Sequence, residues 1–325
     1  MTELTFIKAI NKALHEEMQR DDKVIMLGED VGVQGGVFRA TEGLYKRFGR
    51  ERVIDTPLAE SGIVGTSIGM AVYGLRPIAE IEFSGFSYPA ANQLISHAAR
   101  IRWRSRGRYT CPLVVRMPYG GGIKALEHHS ESMETIWIHT PGLKVVCPST
   151  PEDAKGLLIA AIRDPDPVIY FEPKKLYRSV KGEVPDRDYI TQIGKAKIVK
   201  EGQDLTLISY GATMMPTIEA AEDIIKNGLR PEVIDVRTLS PLDFETIHTS
   251  AVKTGRVIII HEAAQTLGLG AEIAARLANK TILYLKAPVI RVTGYDIPPP
   301  YPASEHVYYP AKERILDAVK QIMSF

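Results

Sequence analysis

Short strand-like runs rich in apolar residues recur along this chain, several of them continuously apolar, and between them the apolar positions fall at helical spacing. The runs are Val24–Leu27, Ile78–Phe83, Leu113–Arg116, Leu143–Val146 and Val168–Phe171, then Leu205–Tyr210, Val233–Val236, Val257–Ile260 and Val289–Val292. A strand with one wet face alternates polar and apolar residues, whereas a continuous run is covered on both faces, as in a parallel sheet flanked by helices. Pro216–Asn227 shows the helical half of the pattern, with Ile218, Ala221, Ile224 and Ile225 apolar and Gly228 as a stop. The alternation predicts an α/β fold with mostly parallel sheets.

A length of 325 residues suits two cores rather than one. Residues 173–200 are rich in charge and turn formers, and a new strand–helix series starts at Leu205. The expected division is an N-terminal domain over 1–185, a linker over 186–200 and a C-terminal domain over 201–325. Pro298, Pro299, Pro300 and Pro302 form an extended strap, and Ala311–Met323 reads as a closing amphipathic helix. With 40 basic and 39 acidic side chains the net charge is +1, which argues against a nucleic-acid partner. No stretch reaches the ~18 apolar residues of a membrane span. The first residues, MTELTFIKAINKALHEE, lack the apolar core of a signal peptide, and Cys111 and Cys147 form no C-x-x-C pair. A reducing, cytoplasmic setting is expected.

Several familiar motifs are missing: there is no Walker loop, no H-E-x-x-H and no G-x-S-x-G. The GLGAEI stretch at 268–273 lacks the third glycine of a dinucleotide fingerprint and reads as a turn before a helix. Adjacent His128 and His129 seldom ligate one ion. Three segments carry candidate chemistry. In DTPLAESGIVG at 55–65, Glu60 stands among small and apolar residues. Desolvation there would raise its pKa and let it share a proton; equally, it reads as a first-turn glutamate favoured by a helix dipole. Glu82–Gln93 sets aromatics at a strand end, where open α/β sheets hold ligands, so Phe86 is either a platform for a flat heterocycle or core packing. Finally, glycines 120–122 precede Glu127, His128 and His129, in a loop that is either an active-site segment carrying a proton donor or plain surface.

Taken in order, these segments resemble the β subunit of the thiamine-diphosphate-dependent 2-oxo acid dehydrogenases, the decarboxylating first components of the pyruvate and branched-chain multienzyme complexes. The resemblance runs through GEDVG at 28–32, GVFRATEGL at 36–44, RVIDTPLAESGI at 52–63, the Phe83–Gln93 segment and HSES at 129–132. It continues in PGLKVVCPSTPEDAKGLL at 141–158, DPDPVIYFEPKKLYR at 164–178, VIDVRTLSPLD at 233–243 and KTGRVIIIHEA at 253–263. It implies a pyrimidine-binding N-terminal domain, a transketolase-like C-terminal domain and an α2β2 heterotetramer, active only with the α subunit. The α chain would hold the cofactor's diphosphate and magnesium through a G-D-G motif, and this sequence contains no G-D-G.

By position, Glu60 corresponds to the glutamate that hydrogen-bonds a ring nitrogen of the aminopyrimidine, Phe86 to the aromatic stacked on it, and Leu58 and Glu29 to its surroundings. His129 corresponds to the histidine that shuttles protons while the acyl group passes to lipoyl-lysine, with His128 as the neighbouring candidate. Leu113, Ala161, Ile162, Asp164 and Asp166 correspond to a potassium site seen in some members, where only the aspartate side chains suit a hard cation. A Pro–Asp turn before the strand Val168–Phe171 explains the same residues structurally. The C-terminal domain would contact a second β chain and the subunit-binding domain of the lipoyl acyltransferase core, and His261–Glu262 reads as structural or interfacial. An acetoin dehydrogenase β subunit and a non-catalytic scaffold are the alternatives. Gly294-Tyr295-Asp296 leans towards the branched-chain type of 2-oxo acid.

Overall fold

The apolar runs form strands whose flanks are covered by helices, as the continuity of several of them requires. The computed structural model describes residues 1–325 and divides into two units, Met1–Tyr119 with Ile136–Ile193 and Gly120–Thr135 with Gly194–Phe325. The elements up to residue 184 are β1 (Thr2–Thr5), α1 (Phe6–Arg20), β2 (Val24–Gly28), α2 (Leu44–Phe48), β3 (Val53–Asp55), α3 (Glu60–Val72) and β4 (Arg76–Glu80). They continue with α4 (Ile101–Arg104), β5 (Val114–Tyr119), α5 (Glu134–Ile138), β6 (Lys144–Val146), α6 (Pro151–Arg163), β7 (Val168–Pro173), α7 (Leu176–Ser179) and β8 (Lys181–Val184).

In the first unit six parallel strands run in the order β3-β2-β4-β5-β7-β6, and β1 pairs antiparallel with β8 in a separate ribbon. Helix α1 buries the stripe Phe6, Ile10, Ala13, Leu14 and Met18 and lies against α6. The start of α6 is written in its sequence. Thr150 accepts a hydrogen bond from the Asp153 N–H at 3.2 Å, Pro151 opens the first turn, and Glu152 and Asp153 sit at the positive end of the helix dipole. The run Ile78–Phe83 leaves the sheet after Glu80, so Ile81–Phe83 is a connection and not strand. Chain order alone groups residues 120–135 with the first unit, whereas their contacts place them in the second.

The second unit contains β9 (Lys197–Lys200), β10 (Leu205–Ser209), α8 (Met214–Lys226), β11 (Pro231–Asp235), β12 (Thr238–Ser240), α9 (Phe244–Thr254) and β13 (Val257–Ala264). After them come α10 (Leu269–Lys280), β14 (Ile290–Gly294), α11 (Glu305–Tyr308) and α12 (Lys312–Met323). Its sheet runs β14-β13-β10-β11-β9, parallel except for the antiparallel edge strand β9. All four β9 residues are exposed, which is why a charged, turn-rich stretch concealed a strand. Leu205, Leu207, Ile258 and Ile260 from the sheet pack with Met214 and Ile224 of α8 and Ile315 and Ile322 of α12. No helix is long and apolar enough to cross a membrane.

Candidate active site

The strand order of the first unit reverses between β2, whose chain continues to β3 on one side, and β4, which continues to β5 on the other. Open parallel sheets bind ligands at such a switch point, beyond the carboxyl ends of the strands. Three strand ends meet there in register, with Gly28 flanked by Asp55 and Glu80. Gly28 is glycine for a steric reason. A Cβ at this position would lie 2.8 Å from the Glu80 carbonyl oxygen and 3.1 Å from the Glu80 Cβ. Next along the chain, the loop after β2 is fixed by Asp55, whose carboxylate accepts the Gly32 N–H at 2.6 Å and the Val33 N–H at 3.2 Å.

Behind this edge lies a buried charge cluster. The Arg116 guanidinium donates to Glu172 Oε1 at 2.6 Å and Oε2 at 3.0 Å, and to Glu80; the Tyr177 hydroxyl donates to Glu172 at 2.7 Å. All four side chains are buried. Burial raises the Glu80 pKa, Arg116 opposes the rise, and Glu172 adds to it. Two carboxylates on one guanidinium leave the cluster short of positive charge, and the effect reaches the switch point. There Glu82 is pushed up to about 7, first by burial and then by Glu29, Asp30, Glu80 and Glu60. Glu29 is likewise raised, by burial and by the charges of Asp30 and Glu60. Glu82 therefore exchanges its proton near neutral pH. It lies inside the aromatic segment singled out above but shows its character only when the fold gathers the other carboxylates around it.

Glu60 is the first residue of α3 and half-buried, the first-turn placement that the dipole favours. The desolvated setting anticipated for it is absent within this chain: Leu58 is 67% exposed, and Pro57 and Ala59 are exposed too. The small and apolar residues before Glu60 face outward, so they do not withdraw its carboxylate from water. The Ser61 hydroxyl donates to the Pro89 carbonyl and ties the first turn of α3 to the 3-10 segment Ser84–Ala90 that carries Phe86. Phe86 is half-buried and meets Phe83 edge-on at 5.2 Å. Phe83 in turn meets Phe38 edge-on at 5.9 Å, with the Lys174 ammonium 5.4 Å from the centre of its ring. The first unit thus gathers Glu29, Glu60, Glu82 and Phe86 at one edge of its sheet.

His129 belongs to the second unit, in the segment Gly120–Thr135, where Glu127–His129 form one 3-10 turn. The two histidines differ in setting: His128 is exposed, with Nδ1 3.6 Å from the Glu131 carboxylate, whereas His129 is half-buried. His261 is fully buried in the same unit, its ring stacked on Tyr210 at 6.1 Å and packed against Gly268 and Gly270. Burial pushes its pKa down to about 4, so it is neutral at physiological pH.

The residues matched to a potassium site already have partners within the chain. The Leu113 carbonyl accepts the Val168 N–H, the Ala161 carbonyl accepts the Asp164 N–H, and the Ile162 carbonyl accepts the Arg76 guanidinium at 2.8 Å. Lys144 donates to both carboxylate oxygens of Asp164 at 2.7 Å, and Arg102 donates to Asp166 at 2.6 Å. Basic side chains hold both carboxylates, so the remaining lone pairs of the carbonyls are the donors left for a cation. No three His, Cys, Asp or Glu side chains are grouped to hold a metal ion.

Comparison with known proteins agrees over the whole chain. Residues 2–180 match the family described as transketolase, pyrimidine binding domain, and residues 194–315 match transketolase, C-terminal domain. The pyruvate dehydrogenase E1 component subunit beta of Acholeplasma laidlawii is 48% identical over 322 residues, covering 99% of this chain and 98% of that one. The 2-oxoisovalerate dehydrogenase subunit beta of Bacillus subtilis strain 168 is 50% identical over 327 residues and covers 100% of both. Among solved structures, one described as a split gene transketolase, inactive beta4 tetramer, shares the fold with a TM-score of 0.80 at 23% identity, over 99% of this chain and 98% of that one.

Proposed function

The chain belongs to the family of 2-oxo acid dehydrogenase E1 β subunits, and from that premise we propose that it supplies the pyrimidine-binding half of a thiamine diphosphate site completed by an α subunit. The observation that carries this reading is the join between the Glu60 turn and the Phe86 segment beside the β2–β4 switch point. A carboxylate and an aromatic ring set side by side fit a flat, basic heterocycle: the ring stacks, and the carboxylate shares a proton with a ring nitrogen. Thiamine diphosphate, when bound, supplies the thiazolium carbon that adds to a 2-oxo group and takes up the electrons released by decarboxylation. Glu60 holds the proton on the pyrimidine side of that chemistry. Leu58 and its exposed neighbours become the pocket wall once a second chain covers them, and that cover supplies the desolvation Glu60 lacks here. Glu82 keeps a titrating proton near Glu60, and His129 passes protons during acyl transfer to lipoyl-lysine.

In this reading the diphosphate and its magnesium rest on the α chain, the assembly is an α2β2 heterotetramer in the cytoplasm, and the second unit meets the subunit-binding domain of the acyltransferase core. Potassium has no step in it. The substrate is a 2-oxo acid, since β subunits named for pyruvate and for 2-oxoisovalerate are equally similar to this chain. Gly294-Tyr295-Asp296, which leans towards the branched-chain type, also has a structural part, Asp296 accepting the Thr266 N–H at 2.8 Å and its hydroxyl at 2.7 Å. Glu60→Gln should lower turnover by about 100-fold or more, the range of a general acid–base group, and leave assembly with the α chain intact. Normal turnover of the purified variant would remove Glu60 from the mechanism.

A further inference from the structure

The loop that carries His129 is held from both sides by buried groups of the second unit. Glu305, at the start of α11 just beyond the proline strap, accepts the Gly122 N–H on one carboxylate oxygen and the Lys124 N–H on the other, the latter at 3.0 Å. Glu262, at the end of β13, accepts the Gly121 N–H and, at 3.3 Å, the Ser132 hydroxyl. On the far side of the histidines, the Tyr309 hydroxyl donates to the Ser130 carbonyl at 3.3 Å. Both glutamates are buried, Glu305 7% and Glu262 5% exposed, and their carboxylates make charge-assisted bonds, that from Gly121 fully buried and the others partly so. The backbone they hold is left-handed: Gly120 and Gly122 adopt φ of 74° and 86°, which glycine allows, and Lys124 adopts 58°, which is unfavourable for a residue with a Cβ. Gly121 has no space for a side chain, since a Cβ there would lie 1.9 Å from the Tyr309 hydroxyl oxygen. Between the fastenings, Leu126 and His128 point to solvent. The result is a short arc, residues 125–129, with pinned ends and the two histidines at its last positions, next to the fastened Ser130.

We propose that Glu305, assisted by Glu262, is a positioning residue for acyl transfer, which fixes the arc so that His129 meets the lipoyl group in one geometry. The proposal rests on the reading of His129 as the proton shuttle. A carboxylate spanning two N–H groups of a left-handed turn removes the alternatives open to a glycine-rich loop, and small misplacements of a catalytic group cost large factors in rate. Glutamine at 305 would turn an N–H towards one of the loop N–H groups, and aspartate would keep the charge but reach only one of them.

The test uses the αβ enzyme carrying Glu305→Gln, Glu305→Asp, His129→Ala or Glu305→Gln with His129→Ala. Two quantities are read: tryptic cleavage after Lys124 in the native enzyme, and the ratio of lipoyl-domain acylation to dye-coupled decarboxylation. Glu305→Gln should speed cleavage after Lys124 and lower the ratio by about 10-fold or more, with Glu305→Asp in between. The double variant should be no worse than His129→Ala. Unchanged cleavage, equal loss of both reactions, or a double variant worse by the product of the single effects would each overturn the proposal. If His129→Ala lowers the ratio and Glu305→Gln does not, the fastening fails and the shuttle stands. If His129→Ala leaves the ratio alone, the shuttle fails and takes the proposal with it.

Discussion

Glu82 has a pKa of about 7, against an ordinary value near 4.5, because burial and four neighbouring carboxyl groups oppose its charge. The fold therefore binds more protons than the unfolded chain between those two values. This contribution to stability is complete below about pH 4.5 and is lost as pH rises through 7. Glu82→Gln removes the charge and keeps the shape, so the variant should gain stability relative to the parent at pH 8 and not at pH 4.5. The side chain is partly solvated, which holds the gain to the order of 1 kcal/mol, or roughly 2–4 °C in the melting midpoint. Melting curves at the two pH values check this, and an equal offset at both would contradict the assignment. Residue type alone makes Glu60, Phe86 and His129 candidates in the sequence. Glu82 is not among them, because its behaviour belongs to Glu29, Asp30, Glu80 and Glu60 brought near it by three different strands. Of the two settings open to Glu60 in the sequence, this chain by itself shows the first-turn one. Apolar neighbours in sequence suggested burial, but Leu58 and Ala59 face outward in the folded chain.

The candidate site depends on how closely β2 and β4 approach, and that is decided at Gly28. Gly28→Ala sets a methyl group against the Glu80 backbone carbonyl, which cannot rotate away as a side chain would. The strand ends must part, at a cost of about 1–3 kcal/mol typical of overpacking. Glu29 and Glu82, which follow these strands, should move apart with them, so thiamine diphosphate binding weakens along with the melting midpoint. Alanine tolerated with unchanged affinity would show that the approach of the strands does not shape the site. Elements with a buried apolar signal, such as β2, β5, β7, β10 and β13, stood out in the sequence because burial on both faces leaves no polar alternation. Strand β9 did not, since it is an exposed edge with Lys197 and Lys200 at its ends. The 3-10 and π turns over Ser84–His97 were hidden as well, because local propensity does not encode where a strand stops when its apolar run continues.

For the whole molecule, the sequence-level likeness spans nearly the entire chain, and the two matched families correspond in order to the two successive strand–helix series. What sequence order conceals is that residues 120–135, which bear His129, pack with the second unit although they interrupt the first. The candidate cofactor residues therefore come from one unit and the candidate shuttle from the other. On the proposed function, this chain holds half of a shared cofactor site, with Glu60 at an edge still open to solvent. The most direct test is 2-oxo acid decarboxylation with thiamine diphosphate and magnesium, for the chain alone and for the chain co-expressed with its α partner. Pyruvate, branched-chain 2-oxo acids and acetoin are run side by side with dye reduction as readout. Turnover is expected only in the mixture, with a 2-oxo acid as the preferred substrate. Turnover by the chain alone would mean that it carries its own diphosphate and magnesium site and would contradict the claim, and no turnover in an assembled mixture would mark the chain as a scaffold.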